Sequence, residues 1–372
     1  MPPLELRLPE AVRRPILACG AGLGSTICIA QGKRADVFPQ GETPQALRAE
    51  IARMEGEQKI EAKVVACDPH PAYASTKVAH EHPAATRFEV QHHRAHLAAV
   101  VAEHGLTSEP VVGAIHDNGG FGTDGTVWGG EILSGAAGGL AAVERRGLLF
   151  PVRMPGGEVM VHERWRMACA WLVAATGTDL PRVPEAIAAY VGRERWEAVA
   201  DMARTGVTSP LTTSTGRLLD AVDAITGRAR VSGSPTAQEL AAASPRAYPM
   251  PLIEEGEAPL ILDARETLLA ALTDLEGGAD PATIRARFMV AIADGTARAL
   301  THAASRDGIG TAVLAGDTFA ALPLLDATAR RLRAAGMRVL TPDRLPAGDS
   351  AISFGQAAVA AWADRATGGP HS

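Results

Sequence analysis

The chain has 372 residues, 47% of them hydrophobic and 21% charged, with a formal net charge of −6. That composition describes a folded protein with ample core material, longer than one typical domain. The acidic balance argues against nucleic acid as a partner, no apolar run approaches membrane-spanning length, and the N-terminus lacks a secretory pattern. Cys19, Cys28, Cys67 and Cys169 show no CxxC spacing and sit in apolar segments, so buried reduced thiols in a cytoplasmic protein are expected.

Residues 1–14 are rich in proline and charge and read as an irregular lead-in. Residues 16–19 and 26–30 read as short strands joined by Gly20-Ala21-Gly22-Leu23-Gly24-Ser25. Such a turn either offers bare backbone N–H groups to a phosphate or is a plain glycine hairpin. A helix over 44–54 and a strand over 63–67 lead into Cys67-Asp68-Pro69-His70-Pro71. The strand at 87–90 runs straight into Gln91-His92-His93-Arg94-Ala95-His96. On a helix, His92 and His96 leave one face a turn apart, which is half of a metal site, or else a pair of hydrogen-bonding surface histidines. His93 and Arg94 are expected outside any ligand set.

The apolar run 111–115 delivers His116-Asp117-Asn118-Gly119-Gly120-Phe121 into a turn through Gly125. A strand that ends in an acid and glycines is how open sheets place carboxylates against ligands, although solvent-exposed turns use the same residues. On a strand His116 points away from Asp117, and Asp124 reads equally as a turn residue or as a contact. Strands continue to about 150. Helical periodicity then holds through about 243, including 165–174, 184–202 and 216–226, with Trp165 and Arg166 expected to pack across the lobes. A strand at 260–263 and helices at 264–275 and 281–305 follow. A last α/β unit runs from the strand 311–315 through Gly316-Asp317-Thr318, a helix, a strand at 338–340, the loop bearing Asp349, and a helix at 351–365.

Two strand-rich regions covered by helices predict a two-lobed α/β protein with a central cleft. The divisions expected are an N-terminal lobe at 15–150, with the C-terminal helix 350–366 packed on it, a C-terminal lobe at 151–349 with a helical insertion, and a tail at 367–372. Asp117 and Asp349, one from each half, meet across that cleft in this reading. With His92 and His96 they make a two-histidine, two-carboxylate site suited to iron or zinc.

The run from Val90 to Glu131 resembles the C-terminal part of the hydrogenase-maturation carbamoyltransferase HypF. So do Cys67-Asp68-Pro69-His70-Pro71, Pro155-Gly156-Gly157, Trp165-Arg166-Met167-Ala168, Gly216-Arg217-Leu218-Leu219-Asp220-Ala221 and Ile352-Ser353-Phe354-Gly355-Gln356-Ala357. The resemblance covers roughly residues 15–365. It implies an actin-like, sugar-kinase-like (ASKHA) fold with ribonuclease-H-like lobes, shared with tRNA threonylcarbamoyl transferases and antibiotic O-carbamoyltransferases. It implies that ATP or carbamoyl adenylate binds beside a divalent metal held by His92, His96, Asp117 and Asp349. The nucleotide would lie against Gly119, Gly120, Gly156, Gly157 and Gly316, with Asp220 toward the ribose. The acceptor would be a C-terminal cysteine of a HypE-like partner, on the route to the cyanide ligands of NiFe hydrogenase.

Full-length relatives carry acylphosphatase, zinc-finger and adenylating domains ahead of this region. A 372-residue chain has no room for them, so a separate adenylating (YrdC-like) domain or protein is expected to supply the carbamoyl group. Three features depart from the family. Gly22 and Gly24 replace a Glu and a Lys, Asp317 stands where glycine approaches phosphate, and a Glu is missing near Ser234-Pro235. The alternatives are a scaffold or regulator with degenerate nucleotide loops, or a small-molecule O-carbamoyltransferase.

Overall fold

Short runs of Ile, Val, Ala and Cys build the first sheet, because residues buried on both faces favour apolar, β-branched side chains. Its strands are β1 (Leu4–Arg7), β2 (Ile16–Ala18), β3 (Thr26–Gln31), β4 (Arg34–Pro39), β5 (Val64–Cys67) and β6 (Thr86–Glu89), in the order β1-β4-β3-β2-β5-β6. The structure, a computed structural model, describes residues 3–22, 25–107, 109–135, 143–227 and 235–367. Gly24, Ser234 and the tail from 368 lie outside the described residues. Helices α1 (Pro44–Gln58) and α2 (Ala74–Glu81) follow β4 and β5. The expected irregular lead-in is instead an edge strand: β1 pairs antiparallel with β4, and Leu6 and Leu8 are buried.

The second sheet contains β7 (Val111–Phe121), β8 (Val127–Gly135), β9 (Val143–Leu149), β10 (Val152–Arg153) and β11 (Leu211–Thr212). Later segments add β12 (Leu252–Ile253), β13 (Leu260–Leu262), β14 (Thr311–Ala315) and β15 (Arg338–Leu340). Its main order is β12-β13-β9-β8-β7-β14-β15. In both sheets three antiparallel strands are extended by two parallel ones: β4-β3-β2-β5-β6 in the first and β9-β8-β7-β14-β15 in the second. The sheets therefore part in the loop between 103 and 111, not at 150. β7 finds its parallel partner in β14, some two hundred residues later.

The helices α4 (Trp165–Thr176), α5 (Glu185–Ala188), α6 (Arg193–Thr205), α7 (Thr215–Ile225), α8 (Ala237–Ala243), α9 (Arg265–Glu276), α10 (Pro281–Asp307) and α11 (Leu322–Ala334) surround this sheet. The single helix expected over 184–202 is two, since Gly192 stands extended and caps α6. Trp165 stacks on Trp196 at 6.3 Å inside this half's core and does not bridge the lobes. All four cysteines are buried and free.

Two helices occupy the seam. α3 (His92–Glu103) is buried over nearly its whole length, His92, His93 and His96 included, with only Arg94 and Glu103 partly exposed. It packs on β7 and β14 of the second sheet and on α12 (Ile352–Thr367), which in turn covers β2, β3 and β5. The crossing is backbone-close: a Cβ on Gly355 would lie 1.9 Å from the Ala95 carbonyl oxygen. Gln356, next along α12, exchanges two hydrogen bonds with the Gly20 backbone at 2.9 and 3.0 Å, fixing the β2–β3 hairpin. Gly355→Val therefore has to separate α12 from α3. We expect a loss of about 3 kcal/mol or more in urea unfolding, with bound metal lost alongside, and a near-neutral result would contradict this seam.

Candidate metal centre

α3 starts where Gln91 caps it, its side-chain oxygen accepting from the Arg94 N–H at 2.9 Å. That start puts His92 and His96 on the same face, their rings 5.1 Å apart. Asp117 reaches them from β7. The strand runs on to Phe121 rather than turning after 115, and its register with β8 shifts between His116 and Gly120. Such a bulge frees backbone and re-aims side chains. Asp117 faces the histidines, while His116 turns the opposite way, onto Thr296 at 2.7 Å and Thr215 at 3.1 Å, with its ring against Phe319. Asp349 arrives from the loop before α12 and is half exposed to the cleft.

His92, His96, Asp117 and Asp349 each present one donor atom, all within 4.8 Å of one another. Individual separations are 3.1 Å (His92 Nε2 to Asp117 Oδ2), 3.4 Å (His92 Nε2 to Asp349 Oδ1), 3.7 Å (His96 Nε2 to Asp117 Oδ2) and 3.5 Å (His96 Nε2 to Asp349 Oδ1). Four N/O donors around a tetrahedral zinc at about 2.0–2.2 Å are spaced by roughly 3.4 Å. Both ring nitrogens of His96 and Asp349 Oδ1 are buried without a hydrogen-bond partner. Buried polar atoms left unpaired are rare and costly, so this donor set fits an ion better than it fits itself.

Without an ion, charge balances the site another way. Burial drives His92 and His96 down, yet contacts to Asp117 and Asp349, and to Asp68 for His92, outweigh it. His92 is held well above the usual imidazole range and His96 is raised to about 9. Asp117 and Asp349 are held below the usual carboxylate range, burial being outweighed by the two histidines. His93 is buried: its Nδ1 meets Gln91 Nε2 at 3.1 Å and its ring packs near Trp128. Burial, with His92 beside it, pushes His93 well below the usual range, so it stays neutral.

Asp68 is the functional residue that spacing alone does not find. It closes β5, fully buried, and its Oδ2 takes the His92 Nδ1 at 2.9 Å. Once an ion displaces the second His92 proton, the one that remains is thereby held on Nδ1, which leaves the Nε2 lone pair for the cluster. An acid ending a buried strand, followed by proline, is the signal available in the sequence.

Beside the cluster lies a cavity of about 540 Å³ lined from both halves, with His70 and Tyr73 on one wall and Met154, Met160 and Val161 opposite. Gly120 joins the two spaces: a Cβ there would sit 2.5 Å from His92 ring carbons. Of the expected nucleotide contacts, Gly119 and Gly120 line this cavity, together with Asn118 and Arg217. Gly156 and Gly157 form the turn before the residues that line its far wall, each at positive φ. Asp220 is paired with Arg217 at 2.6 Å and lies near Arg164 at 3.7 Å. Gly316 stands at the exit of β14, bonded to the Ala347 carbonyl at 2.9 Å. Neither Asp220 nor Gly316 lines the cavity. Asp124 is a turn residue, accepting from Thr126 and the Trp128 indole.

Two family models match: the HypF Kae1-like domain over residues 11–103, and the second subdomain of the carbamoyltransferase Kae1-like domain over 113–356. The chain belongs to the HypF carbamoyltransferase family. A carbamoyltransferase HypF homolog from Cupriavidus necator is 32% identical, the match covering 93% of this chain and 91% of that protein. Carbamoyltransferase HypF from Rhizobium leguminosarum bv. viciae is 35% identical over 93% of this chain but only 45% of its own length. The crystal structure of full-length HypF in the phosphate- and nucleotide-bound form superposes with a TM-score of 0.85 at 27% identity, covering 99% of this chain and 58% of that one. The structure of T. kodakarensis HypF gives 0.80 at 26% identity, over 98% and 49%. The chain thus spans nearly all of one HypF relative and about half of the others, and it has their actin-like, two-lobed α/β fold.

Within this HypF fold Asp317 sits at the cluster's edge. Its backbone N–H donates to Asp117 Oδ1 at 3.2 Å, and its carboxylate accepts from Asn118 Nδ2 at 2.8 Å. Burial, then Asp117 and Asp349, raise its pKa, opposed by His96. Among the described residues no helix is long and apolar enough to cross a membrane.

Two outcomes follow from the cluster. Asp68→Ala removes the orienting carboxylate, and we expect zinc affinity by competition titration to fall about 10–100-fold, with unchanged affinity contradicting the role. An ion must also displace the protons that His92 and His96 hold. Affinity should rise as pH climbs toward about 9, where His96 titrates. Calorimetry in two buffers of different ionisation enthalpy should register proton release, and a flat profile would contradict it.

Proposed function

We propose that the chain moves a carbamoyl group from carbamoyl adenylate to a C-terminal cysteine thiolate of a HypE-like partner, in cyanide-ligand synthesis for NiFe hydrogenase. A separate adenylating, YrdC-like domain or protein makes the adenylate, and the reaction runs in the cytoplasm. The observation that carries this reading is the convergence of His92, His96, Asp117 and Asp349 beside a cavity sized for a small ligand.

A divalent ion, iron or zinc, held by those four residues supplies Lewis-acid polarisation of a carbonyl or phosphoryl oxygen. The chain's own residues do the rest. Asp68 keeps His92 in the tautomer that offers Nε2 to the cluster. Arg217, its guanidinium held by Asp220 at 2.6 Å, is a cation on the cavity wall that a phosphate oxygen can approach. Met154, Met160 and Val161 exclude water from a mixed anhydride that hydrolyses readily. The acceptor thiol, with an ordinary pKa of about 8.5, loses its proton to solvent. Its sulfur then bonds the carbamoyl carbon, after which the carbon–oxygen bond to phosphate breaks and AMP leaves.

One observation favours a second reading, a scaffold that holds the ion without turning over nucleotide. Asp317 engages the Asn118 amide, a donor a phosphate would otherwise use, and adds negative charge there. Purified ion-loaded chain, carbamoyl phosphate, ATP, a separate adenylating domain and the HypE-like acceptor distinguish the two. We expect a carbamoylated terminal cysteine by mass spectrometry, abolished in His96→Ala. An unmodified acceptor, together with no AMP or ATP binding by calorimetry, would establish the scaffold instead.

A further inference from the structure

One wall of the cavity beside the ion cluster is a stack of rings. His70 and Tyr73 lie 4.2 Å apart, 12° from parallel, and Phe121 meets His70 edge-on at 5.4 Å. Hydrogen bonds pin the stack. The His70 backbone N–H donates to Asp68 Oδ1 at 2.8 Å, and the Ala72 N–H donates to His70 Nδ1 at 3.2 Å. The other oxygen of the same Asp68 holds His92 at 2.9 Å, so the ring wall and an ion ligand hang on one carboxylate.

Tyr73 is therefore fixed relative to the cluster, yet its hydroxyl makes no hydrogen bond among the described residues. Burial pushes the phenol up to about 12, with Asp68, Asp349 and Asp117 adding to the shift and His92 opposing it. At ordinary pH it is a protonated, oriented, unengaged donor on the wall of a ligand cavity.

We propose that Tyr73 is a specificity-determining residue, its hydroxyl donating a hydrogen bond to the carbonyl oxygen of the carbamoyl group where that group meets the ion cluster. The proposal rests on the carbamoyl-transfer reading above. The two ends of the substrate are sorted by charge. A neutral phenol suits a neutral carbonyl, whereas the anionic phosphate takes the Arg217 guanidinium on the same cavity. No proton leaves Tyr73 during transfer. As the thiolate sulfur bonds the carbon, the carbonyl π pair moves onto the oxygen that Tyr73 holds. It returns when the bond to phosphate breaks, with AMP carrying away the negative charge. A site that hydrogen-bonds one substrate group discriminates strongly against ligands lacking it.

The test uses the ion-loaded full chain and calorimetry with two probes. One is N-carbamoylsulfamoyl adenosine, in which a sulfamate replaces the phosphate and resists hydrolysis. The other is AMP, which has no carbamoyl group. Tyr73→Phe, which keeps the ring stack, should weaken the first about tenfold or more and leave AMP unchanged. Equal losses for both probes, or no loss, would overturn the role of Tyr73 while leaving the transfer reading intact. A wild-type chain that binds neither probe would overturn both. Ion content and thermal midpoint are measured on each variant. Should Tyr73→Phe shed its ion, His70→Ala frees the Tyr73 ring and is expected to lower affinity for the carbamoylated probe alone.

Discussion

Two carboxylates and two imidazoles share a space in which their donor atoms lie within 4.8 Å of one another. Water is largely excluded from it, so every charge there must be matched by a neighbour or by an ion. Much of the architecture serves that requirement. The bulge in β7 turns Asp117 inward, the largely buried α3 fixes the two rings, and α12 closes over α3 at backbone contact. Asp349 comes from the loop just ahead of α12, so the helix that joins the halves also delivers the fourth donor.

The neighbouring cavity has different chemistry. Its walls are rings on one side and thioethers and aliphatics on the other, with Asn118 and Arg217 as polar points. Asp68 couples the two spaces, since one carboxylate orients His92 and the other oxygen fixes the His70 backbone. A shift of β5 would disturb ion and cavity together. The chain therefore gains precision by hanging both on a strand end rather than on a mobile loop.

Much of this was legible in the sequence. Histidines four apart declare a shared helical face, and an acid at the end of an apolar run declares Asp117 at a sheet edge; Asp349, in a loop, is named only by its place in the opposite half and by the family resemblance. The pairing of β7 with β14 could not, because parallel partners so distant in the chain leave no local trace, and the lobe boundary was misplaced accordingly. β1 escaped notice because Leu4, Leu6 and Leu8 alternate among prolines and charges over too short a span. Asp68 needed the fold: only the packing of β5 beside α3 makes it His92's partner. Asp220, which the family motif names for the ribose, is engaged with Arg217 and Arg164, contacts that no sequence spacing announces.

X-ray absorption on zinc- or iron-loaded chain interrogates the cluster itself. Four light N/O donors at about 2.0–2.2 Å, with the multiple-scattering signature of two imidazoles, are expected. One imidazole in His96→Ala would confirm the assignment. Sulfur in the first coordination sphere, or an unchanged spectrum in that variant, would place the ion elsewhere and contradict the account.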